Sequence, residues 1–264
     1  MFELGLEVLN ILFRHRYEAY IVGGFPRDMY LGKDSYDIDI TTNANFDELQ
    51  SIFDNIKENG YMSYLLEYKG HTFQITTYRK DISYVDNRKP NIQERVNTLD
   101  EDLQRRDFVI NTLCIDRNGK YVDLLGAKKD IDNKLIRTVK DPDKSFKEDA
   151  LRMLRCIRFS SVLDFEIDPT VKEALYNNRS LIKDLSFYRK KQELDKIFSD
   201  INYQKGIDLI KELDLEEVLS IQIDNKIYAD NYLYVWSKIK FDNEYPFTRN
   251  EKHIIEDIRL NDNN

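Results

Sequence analysis

Residues 20–42 read YIVGGFPRDMYLGKDSYDIDITT and decide the fold expected for the first part of the chain. Residues 19–22 (AYIV) carry β-branched and aromatic side chains that are typical of a buried strand. Gly23 and Gly24 then allow a tight turn and a close approach of a ligand to the backbone. Because Pro26 suits the first turn of a helix, we predict a strand–turn–helix unit that presents free backbone N–H groups to a phosphate.

The same stretch ends in an alternating acidic and apolar pattern, DIDI at residues 37–40. Strand side chains alternate between two faces, so Asp37 and Asp39 should share one face while Ile38 and Ile40 enter the core. Neighbouring carboxylates repel each other unless a cation lies between them, and hard oxygen ligands suit Mg²⁺. A strand with one solvated face would explain an isolated pattern of this kind. The Gly-Gly turn just upstream instead favours a catalytic site in which Asp37 and Asp39 bind Mg²⁺.

GGFPRD at 23–28 and LGKDSYDIDI at 31–40 together resemble the head-domain motif of class II tRNA nucleotidyltransferases. These CCA-adding enzymes share a polymerase-β-like catalytic core with bacterial poly(A) polymerases. The resemblance implies an α+β fold, in which a nucleotidyltransferase α/β head is followed by an all-α neck and body. It also implies that Gly24 and Arg27 face the triphosphate, and both are present, although Pro26 replaces the usual Val.

Composition restricts the class of protein. The 264 residues carry a net charge of −8, which argues against nucleic-acid binding over the whole surface. No apolar run approaches the roughly 18 residues of a membrane span, and residues 1–20 are typical of an amphipathic helix, so we expect neither a signal peptide nor a membrane partner. Cys114 and Cys156 lack the spacing of a zinc site, which favours a cytoplasmic, reduced protein.

Residues 61–67 and 71–78 flank the turn at Lys69-Gly70 and predict a β-hairpin. In the resembling family the second strand carries a third carboxylate beside the metal pair, and Gln74 occupies that position here. Glutamine accepts a hydrogen bond but brings no negative charge, so we expect weaker metal binding or slower catalysis.

Residues 80–104 are polar and predict a long loop, which is usually either functional or disordered. The segment YVDNRKP at 84–90 resembles a family loop that is associated with the change from adding C to adding A. Its presence therefore favours complete CCA addition over addition of CC alone.

Residues 105–111 (RRDFVIN) place two arginines and an aspartate before an apolar run. The segment suits the charged start of a buried strand. Paired guanidinium groups also bind phosphate oxygens, and a nearby carboxylate can hold a ribose hydroxyl. The resemblance to the family motif RRDFTINA implies that Arg106, Asp107 and Asn111 bind the nucleotide. Residues 121–126 then predict a last short strand and turn.

The first helix after Asp141-Pro142 is expected to begin near Phe146, and it contains EDALR at 148–152. Asp149 and Arg152 should share one helix face, where a surface ion pair is the simplest explanation. A carboxylate acceptor beside a guanidinium donor also matches the amino group and ring nitrogen of cytosine and adenine, but not guanine or uracil. The resemblance to the family's EDxxR motif implies this second role, and it implies nucleotide contacts for Arg155 and Arg158.

The chain is expected to form a catalytic head at residues 1–141, a helical neck at 142–200 and a short helical body at 201–264. Residues 189–191 (RKK) form a basic cluster, which is either a solvated helix face or a contact with the tRNA acceptor stem. Family members continue through a tail domain, so we expect a short form or a missing tail.

These motifs predict a tRNA nucleotidyltransferase that adds the 3′-terminal CCA from CTP and ATP without a nucleic-acid template. Its partners are then the tRNA 3′ end and acceptor stem, and no protein partner is implied. Three alternatives remain. A CC-adding enzyme uses the same residues, and the loop at 84–90 argues against it. A poly(A) polymerase would add many A residues and ignore CTP, and the segment around the Asp pair resembles the tRNA enzymes more. A catalytically degenerate RNA-binding protein is favoured only by Gln74, and Asp37 and Asp39 oppose it.

Overall fold

The computed structural model describes residues 1–60, 62–85, 89–224, 227–229 and 231–262. The chain divides into two compact units. The first unit comprises Met1–Val85, Pro90–Asn133 and Arg137–Lys140, and the second contains Lys134–Ile136 and the chain from Asp141 onward. The three-part division into head, neck and body stays a prediction. No helix in the described part of the chain combines the length and the apolar character that a bilayer crossing requires.

The first unit mixes short helices with strands. Its elements in chain order are α1 (Phe2–Arg14), β1 (Ala19–Val22), α2 (Gly24–Tyr30), β2 (Asp39–Thr42), α3 (Phe46–Gln50), β3 (Ile56–Glu58), β4 (Ser63–Tyr68), β5 (His71–Thr77), β6 (Arg79–Val85), β7 (Lys89–Arg95), α4 (Leu99–Leu103), a 3₁₀ helix (Val109–Asn111), β8 (Cys114–Ile115), β9 (Tyr121–Val122) and α5 (Ala127–Asp132).

A seven-stranded sheet in the order β3-β4-β5-β2-β1-β8-β9 organises this unit. Strand β1 pairs antiparallel with β2, and β2 pairs parallel with β5. The amphipathic helix α1 covers one face of the sheet through buried residues that include Val8, Leu9 and Leu12. Ile38 and Ile40 belong to the same core and are 2% and 0% exposed, which confirms the inward orientation predicted from the DIDI pattern.

The hairpin predicted around Lys69-Gly70 is confirmed, because β4 and β5 pair antiparallel across that turn. Both turn residues have a positive φ, 49° at Lys69 and 78° at Gly70, as a tight two-residue hairpin turn requires. The prediction of a long loop over residues 80–104 is wrong. That stretch contains most of the two-stranded sheet β6-β7, and helix α4 follows it. Within the segment predicted to resemble the family loop, residues 86–88 lie outside the described residues.

The second unit is largely helical, as predicted. Its elements in chain order are β10 (Leu135–Ile136), α6 (Pro142–Glu148), α7 (Leu151–Leu163), β11 (Glu166–Ile167), α8 (Pro169–Asn178), a 3₁₀ helix (Arg179–Asp184), α9 (Phe187–Phe198), α10 (Tyr203–Glu212), α11 (Glu216–Leu219), β12 (Ile221–Gln222), α12 (Tyr232–Lys238), β13 (Lys240–Phe241) and α13 (Arg249–Asp262). Two short strand pairs, β10 with β11 and β12 with β13, were not expected from the sequence.

Two of the three residues in the basic cluster at 189–191 are buried, and Arg189 is half-buried. Lys190 is 3% exposed and donates a hydrogen bond to the carbonyl oxygen of Val218 at 3.0 Å. Lys191 is 7% exposed, and its Nζ lies 2.7 Å from Asp195 and 2.8 Å from Glu251. The proposed contact with the acceptor stem is therefore wrong for both lysines, because these side chains join α9 to α11 and α13.

Helix α10 packs tightly against α7 and α9 at Gly206. A Cβ at this position would overlap the Cγ2 atom of Ile197, and it would lie 3.3 Å from the hydroxyl of Ser161. Ser161 itself donates a hydrogen bond to the carbonyl oxygen of Asn202 at 2.9 Å. The glycine thus sets how closely these three helices approach.

We expect Gly206→Ala to lower the free energy of unfolding by about 1–3 kcal/mol, because the added methyl group overpacks the contact with Ile197. Alanine has a better helix propensity than glycine, which by itself would raise the free energy of unfolding. A net decrease therefore indicates overpacking. Urea denaturation followed by circular dichroism measures it. Asp208→Ala on the exposed side of the same helix is the control and should change stability by less than about 0.5 kcal/mol. Equal stability of wild type and Gly206→Ala would contradict this packing.

Candidate active site

The Gly-Gly turn lies directly beside the acidic strand. Gly23 follows β1 with φ +89°, a backbone conformation that residues with a Cβ rarely adopt. A Cβ there would also lie 3.3 Å from Oδ2 of Asp39. The register of the sheet explains the closeness, since Val22 and Asp39 are Cα partners across β1 and β2.

Asp37 and Asp39 lie in different local structures. The strand begins at Asp39, so the predicted start at Asp37 is wrong, and Asp37 lies in the segment that leads into β2. The predicted alternation of burial is nevertheless present: Asp37 is exposed and Asp39 half-buried, whereas Ile38 and Ile40 are buried. Both carboxylates are thus kept out of the apolar core.

Gln74 lies next to Asp39, since the two residues are Cα partners across β2 and β5. Its side-chain amide donates a hydrogen bond to the hydroxyl of Ser63 at 3.3 Å. No cluster of three or more His, Cys, Asp or Glu side chains able to hold a metal occurs among the residues that the structure describes. Two carboxylates and a neutral amide suit a small divalent ion whose remaining ligands are water and phosphate oxygens.

Arg27 joins the first motif to the RRDFVIN segment. Its Nη1 donates to Oδ1 of Asn111 at 2.6 Å, and its Nη2 lies 2.7 Å from Oδ1 of Asp28. Asn111 in turn donates to Oδ1 of Asp107 at 3.1 Å. Arg27 is only 7% exposed, so its charge is held inside the unit by these partners. Residues 84 positions apart in the chain therefore form one polar network. The sequence assigned Arg27, Asp107 and Asn111 to nucleotide binding, which stays a prediction, but it did not predict their contact.

Arg106 is held by a carboxylate that the sequence analysis did not single out. Asp102 is 0% exposed, and it accepts hydrogen bonds from Nε of Arg105 at 2.9 Å and from Nη2 of Arg106 at 3.0 Å. The spacings of three and four residues were a visible signal, because such pairs meet on a helix. Burial opposes the charged form of Asp102, but Arg105 and Arg106 hold its pKa below the ordinary value.

The EDALR segment does not form one continuous helix. Helix α6 ends at Glu148, Asp149 is extended with φ −149° and ψ 103°, and α7 begins at Leu151. The expected helix through residues 146–163 is therefore wrong, because the carboxylate of Asp149 captures the free N–H of Leu151 at 3.0 Å. Asp149 lies just before the first turn of α7, and its carbonyl oxygen accepts the N–H of Arg152 at 3.1 Å.

The Arg152 guanidinium points back towards α6. Its Nη1 donates to the hydroxyl of Ser145 at 3.0 Å and lies 3.2 Å from Oε2 of Glu148. Arg152 is 6% exposed, so these contacts fix the orientation of a buried charge. Further along α7, Arg155 and Arg158 lie over the ring of Phe159, at 5.3 and 4.5 Å from its centroid. Arg158 Nε also lies 3.2 Å from Glu193 on α9.

The first unit has a Gly-Gly turn after β1 and two carboxylates, Asp37 and Asp39, at the start of the neighbouring strand β2. This is the architecture of a nucleotidyltransferase head. Residues 19–137 match the family model described as the poly A polymerase head domain. Residues 164–225 match a second model, described as a probable RNA and SrmB- binding site of polymerase A.

Comparison with known proteins gives the family. The chain is 41% identical to the CCA-adding enzyme of Bacillus licheniformis over 201 aligned residues. This alignment covers 75% of this chain and 50% of that protein. The Staphylococcus aureus CCA-adding enzyme is 40% identical over 217 residues, with coverage of 81% and 54%. The chain belongs to the family of tRNA nucleotidyltransferases and poly(A) polymerases, and it spans about half the length of these curated relatives.

Solved structures agree with this assignment. The crystal structure of the Bacillus stearothermophilus CCA-adding enzyme in complex with CTP superimposes with a TM-score of 0.77 at 32% identity, over 83% of this chain and 54% of that chain. A tRNA nucleotidyltransferase complexed with a primer tRNA and an incoming ATP analog gives a TM-score of 0.68 at 25% identity, over 82% of this chain and 64% of that chain. Membership of this family implies a divalent metal ion.

The buried Asp102 makes stability depend on pH in a defined direction. A carboxylate whose folded pKa lies below the unfolded value of about 3.9 stabilises the fold above that pH, and the contribution is lost as pH falls through the folded pKa. We expect wild type to exceed Asp102→Asn in free energy of unfolding by about 3 kcal/mol at pH 7, because the variant leaves two arginines without their carboxylate. Below about pH 4 the difference should shrink.

Urea denaturation of both proteins between pH 7 and pH 3 measures this difference. Asp54→Asn changes an exposed carboxylate of the same unit and should show a difference near zero throughout. A gap between wild type and Asp102→Asn that widens as the pH falls would contradict the assigned direction.

Proposed function

We propose that this protein transfers CMP and then AMP from CTP and ATP to the 3′ end of a tRNA that lacks its terminal CCA, with release of pyrophosphate. The closeness of Asp39 to the Gly-Gly turn is the observation that carries the proposal, since polymer extension needs metal-binding carboxylates beside a phosphate site. The similarity to CCA-adding enzymes supports the choice of tRNA as the acceptor.

Asp37 and Asp39 would hold two Mg²⁺ ions. When bound, the ions lower the pKa of the primer 3′-hydroxyl and neutralise charge on the departing pyrophosphate. The all-oxygen donor set and the open surroundings of Asp37 support this assignment. Gln74, the Cα partner of Asp39, brings no negative charge to this site, which fits a demand for more Mg²⁺.

The remaining residues of the first unit bind the nucleotide in this proposal. A Cβ at position 24 would lie in contact with Arg27 Nη2, at 3.4 Å, so the glycine keeps the backbone beside this guanidinium open to a phosphate. Arg106 supplies positive charge to the phosphates, and Asp107 accepts a ribose hydroxyl. Asn111 holds Arg27 and Asp107 together through the two hydrogen bonds described above.

Asp149 and Arg152 select the base in this proposal, and Arg155 and Arg158 add contacts to the nucleotide. A carboxylate accepts the exocyclic amino group of cytosine or adenine, while a guanidinium donates to the adjacent ring nitrogen. The contacts of Arg152 with Ser145 and Glu148 support this role, because a guanidinium held in place discriminates better than a mobile one. Cys114 and Cys156 are buried and form no disulfide with each other, which fits action in the cytoplasm.

The proposal is tested with a tRNA transcript that lacks its last three nucleotides, incubated with Mg²⁺ and CTP, ATP or both. We expect two additions with CTP alone and a third only when ATP is also present. Asp39→Asn should lower the rate at least about a hundredfold, since it removes a metal-binding charge. Asp54→Asn is the matched control and should retain the wild-type rate. A denaturing gel resolves each added nucleotide.

Other products would replace the proposal with a rival. Extension that stops after CC with both nucleotides present indicates a CC-adding enzyme, and long A tails without use of CTP indicate a poly(A) polymerase. No extension at any Mg²⁺ concentration, combined with retained RNA binding, indicates an RNA-binding protein without catalysis.

Base selection is tested by Asp149→Asn. An asparagine oxygen still caps the N–H of Leu151, so α7 should be preserved, but its amide can also donate to the carbonyl of uracil. We expect incorporation of UTP relative to CTP to rise about tenfold. Asp168→Asn, which changes the equivalent cap of α8, should leave the ratio unchanged. Unchanged discrimination by Asp149→Asn would remove this residue from base selection.

A further inference from the structure

Asp102 connects three parts of the first unit. The hydroxyl of Thr41 on β2 donates to its Oδ2 at 3.0 Å, and the backbone N–H of Arg79 at the start of β6 donates to its Oδ1 at 3.3 Å. The Arg105 and Arg106 side chains supply two further hydrogen bonds, one to each carboxylate oxygen. A single buried carboxylate thus connects strand β2, the start of strand β6 and the RRDFVIN segment at residues 105–111.

The shared oxygen brings Arg106 to the strand that carries Asp39. Thr41 and Asp39 are two positions apart on β2, so their side chains lie on the same face. Oδ2 of Asp102 accepts from both Thr41 and Arg106, each at 3.0 Å. Burial opposes the charged form of Arg106, but the charge of Asp102 and, to a smaller extent, that of Asp39 raise its pKa above the ordinary value. The position of the Arg106 guanidinium therefore follows from where Asp102 lies.

Arg79 places a third positive charge near the Asp102 carboxylate. Its guanidinium is largely buried near Arg105 and Arg106, and Nε and Nη1 have no hydrogen-bond partner among the described residues. Asp81 lies 3.8 Å from Nε, beyond hydrogen-bond distance. Burial, and then the charge of Arg105, lower the pKa of Arg79 to about 10. Three guanidinium groups lie near the charge of Asp102, and they would repel each other if it were removed.

We propose that Asp102 is a positioning residue that holds Arg106 beside the Asp39 face of β2, where Arg106 binds the phosphates of the incoming nucleotide. The proposal rests on the function proposed above and adds a residue to it. Asparagine at this position would keep the shape but not the charge. It would accept through one oxygen only, and its amide would face an arginine donor.

The test compares Asp102→Asn, Arg106→Gln and the double variant. Calorimetry gives the Kd of inorganic tripolyphosphate in the presence of Mg²⁺, and the primer assay gives KM and kcat for CTP. We expect each single variant to raise both the Kd and the KM about tenfold, with a smaller change in kcat. The double variant should be no weaker than the weaker single variant, because both changes remove one interaction.

Asp130→Asn is the matched control for loss of a buried ion pair. Asp130 is 2% exposed and accepts hydrogen bonds from Nε of Arg137 at 2.9 and 3.0 Å in the same unit. It should lower the Tm without changing the Kd of tripolyphosphate. An Asp102→Asn protein that behaves in the same way would overturn the proposal, as would additive effects in the double variant.

The two proposals fail differently. Wild-type protein that does not bind tripolyphosphate overturns the role of Asp102. Wild-type protein that binds tripolyphosphate with the expected pattern among the variants, but extends no primer, supports Asp102 as the positioning residue and overturns only the proposed reaction.

Discussion

The arrangement of β1, β2 and β5 is the constraint on which the candidate active site depends. The antiparallel pairing of β1 with β2 aligns Val22 with Asp39, and the parallel pairing of β2 with β5 aligns Asp39 with Gln74. A shift of β2 by one residue would turn Asp39 into the core and both of its isoleucine neighbours to solvent. The buried Ile38 and Ile40 oppose that shift, so hydrophobic burial fixes the position of the Asp39 carboxylate.

Charges buried next to this sheet are held in pairs and networks. Arg27 is bound by Asp28 and Asn111, and Arg106 is bound by Asp102. Buried ion pairs add little net stability compared with apolar packing, but breaking one leaves an uncompensated charge. Their value here lies in orientation, because guanidinium groups with fixed partners keep one geometry.

The second unit uses its charges mainly for packing. Lys191, Asp195 and Glu251 join α9 to α13, and Asp195 also accepts the indole N–H of Trp236 at 2.7 Å. Trp236 is fully buried among four aromatic rings, those of Phe198, Phe241, Tyr245 and Phe247. Lys190 and Lys191, two residues of a basic run in the sequence, are therefore part of the interior of this unit and are not available to RNA.

The sequence by itself determined the local features: the Gly-Gly turn, the alternation of Asp37–Ile40 side chains, the hairpin at Lys69-Gly70 and the helical second half. These follow from periodicity and turn chemistry, which a short segment carries within itself. The motifs at residues 23–40, 105–111 and 148–152 also carry the resemblance to the family.

Only the tertiary structure decided which partners the charged residues have. Asp102 as the residue that holds Arg106, the link from Arg27 to Asn111, the burial of Lys190 and the break at Asp149 were all absent from the sequence predictions. The physical reason is that a charge accepts any suitable partner of opposite sign or hydrogen-bonding capacity. Which partner it meets is set by contacts between elements far apart in the chain, and periodicity does not encode those contacts.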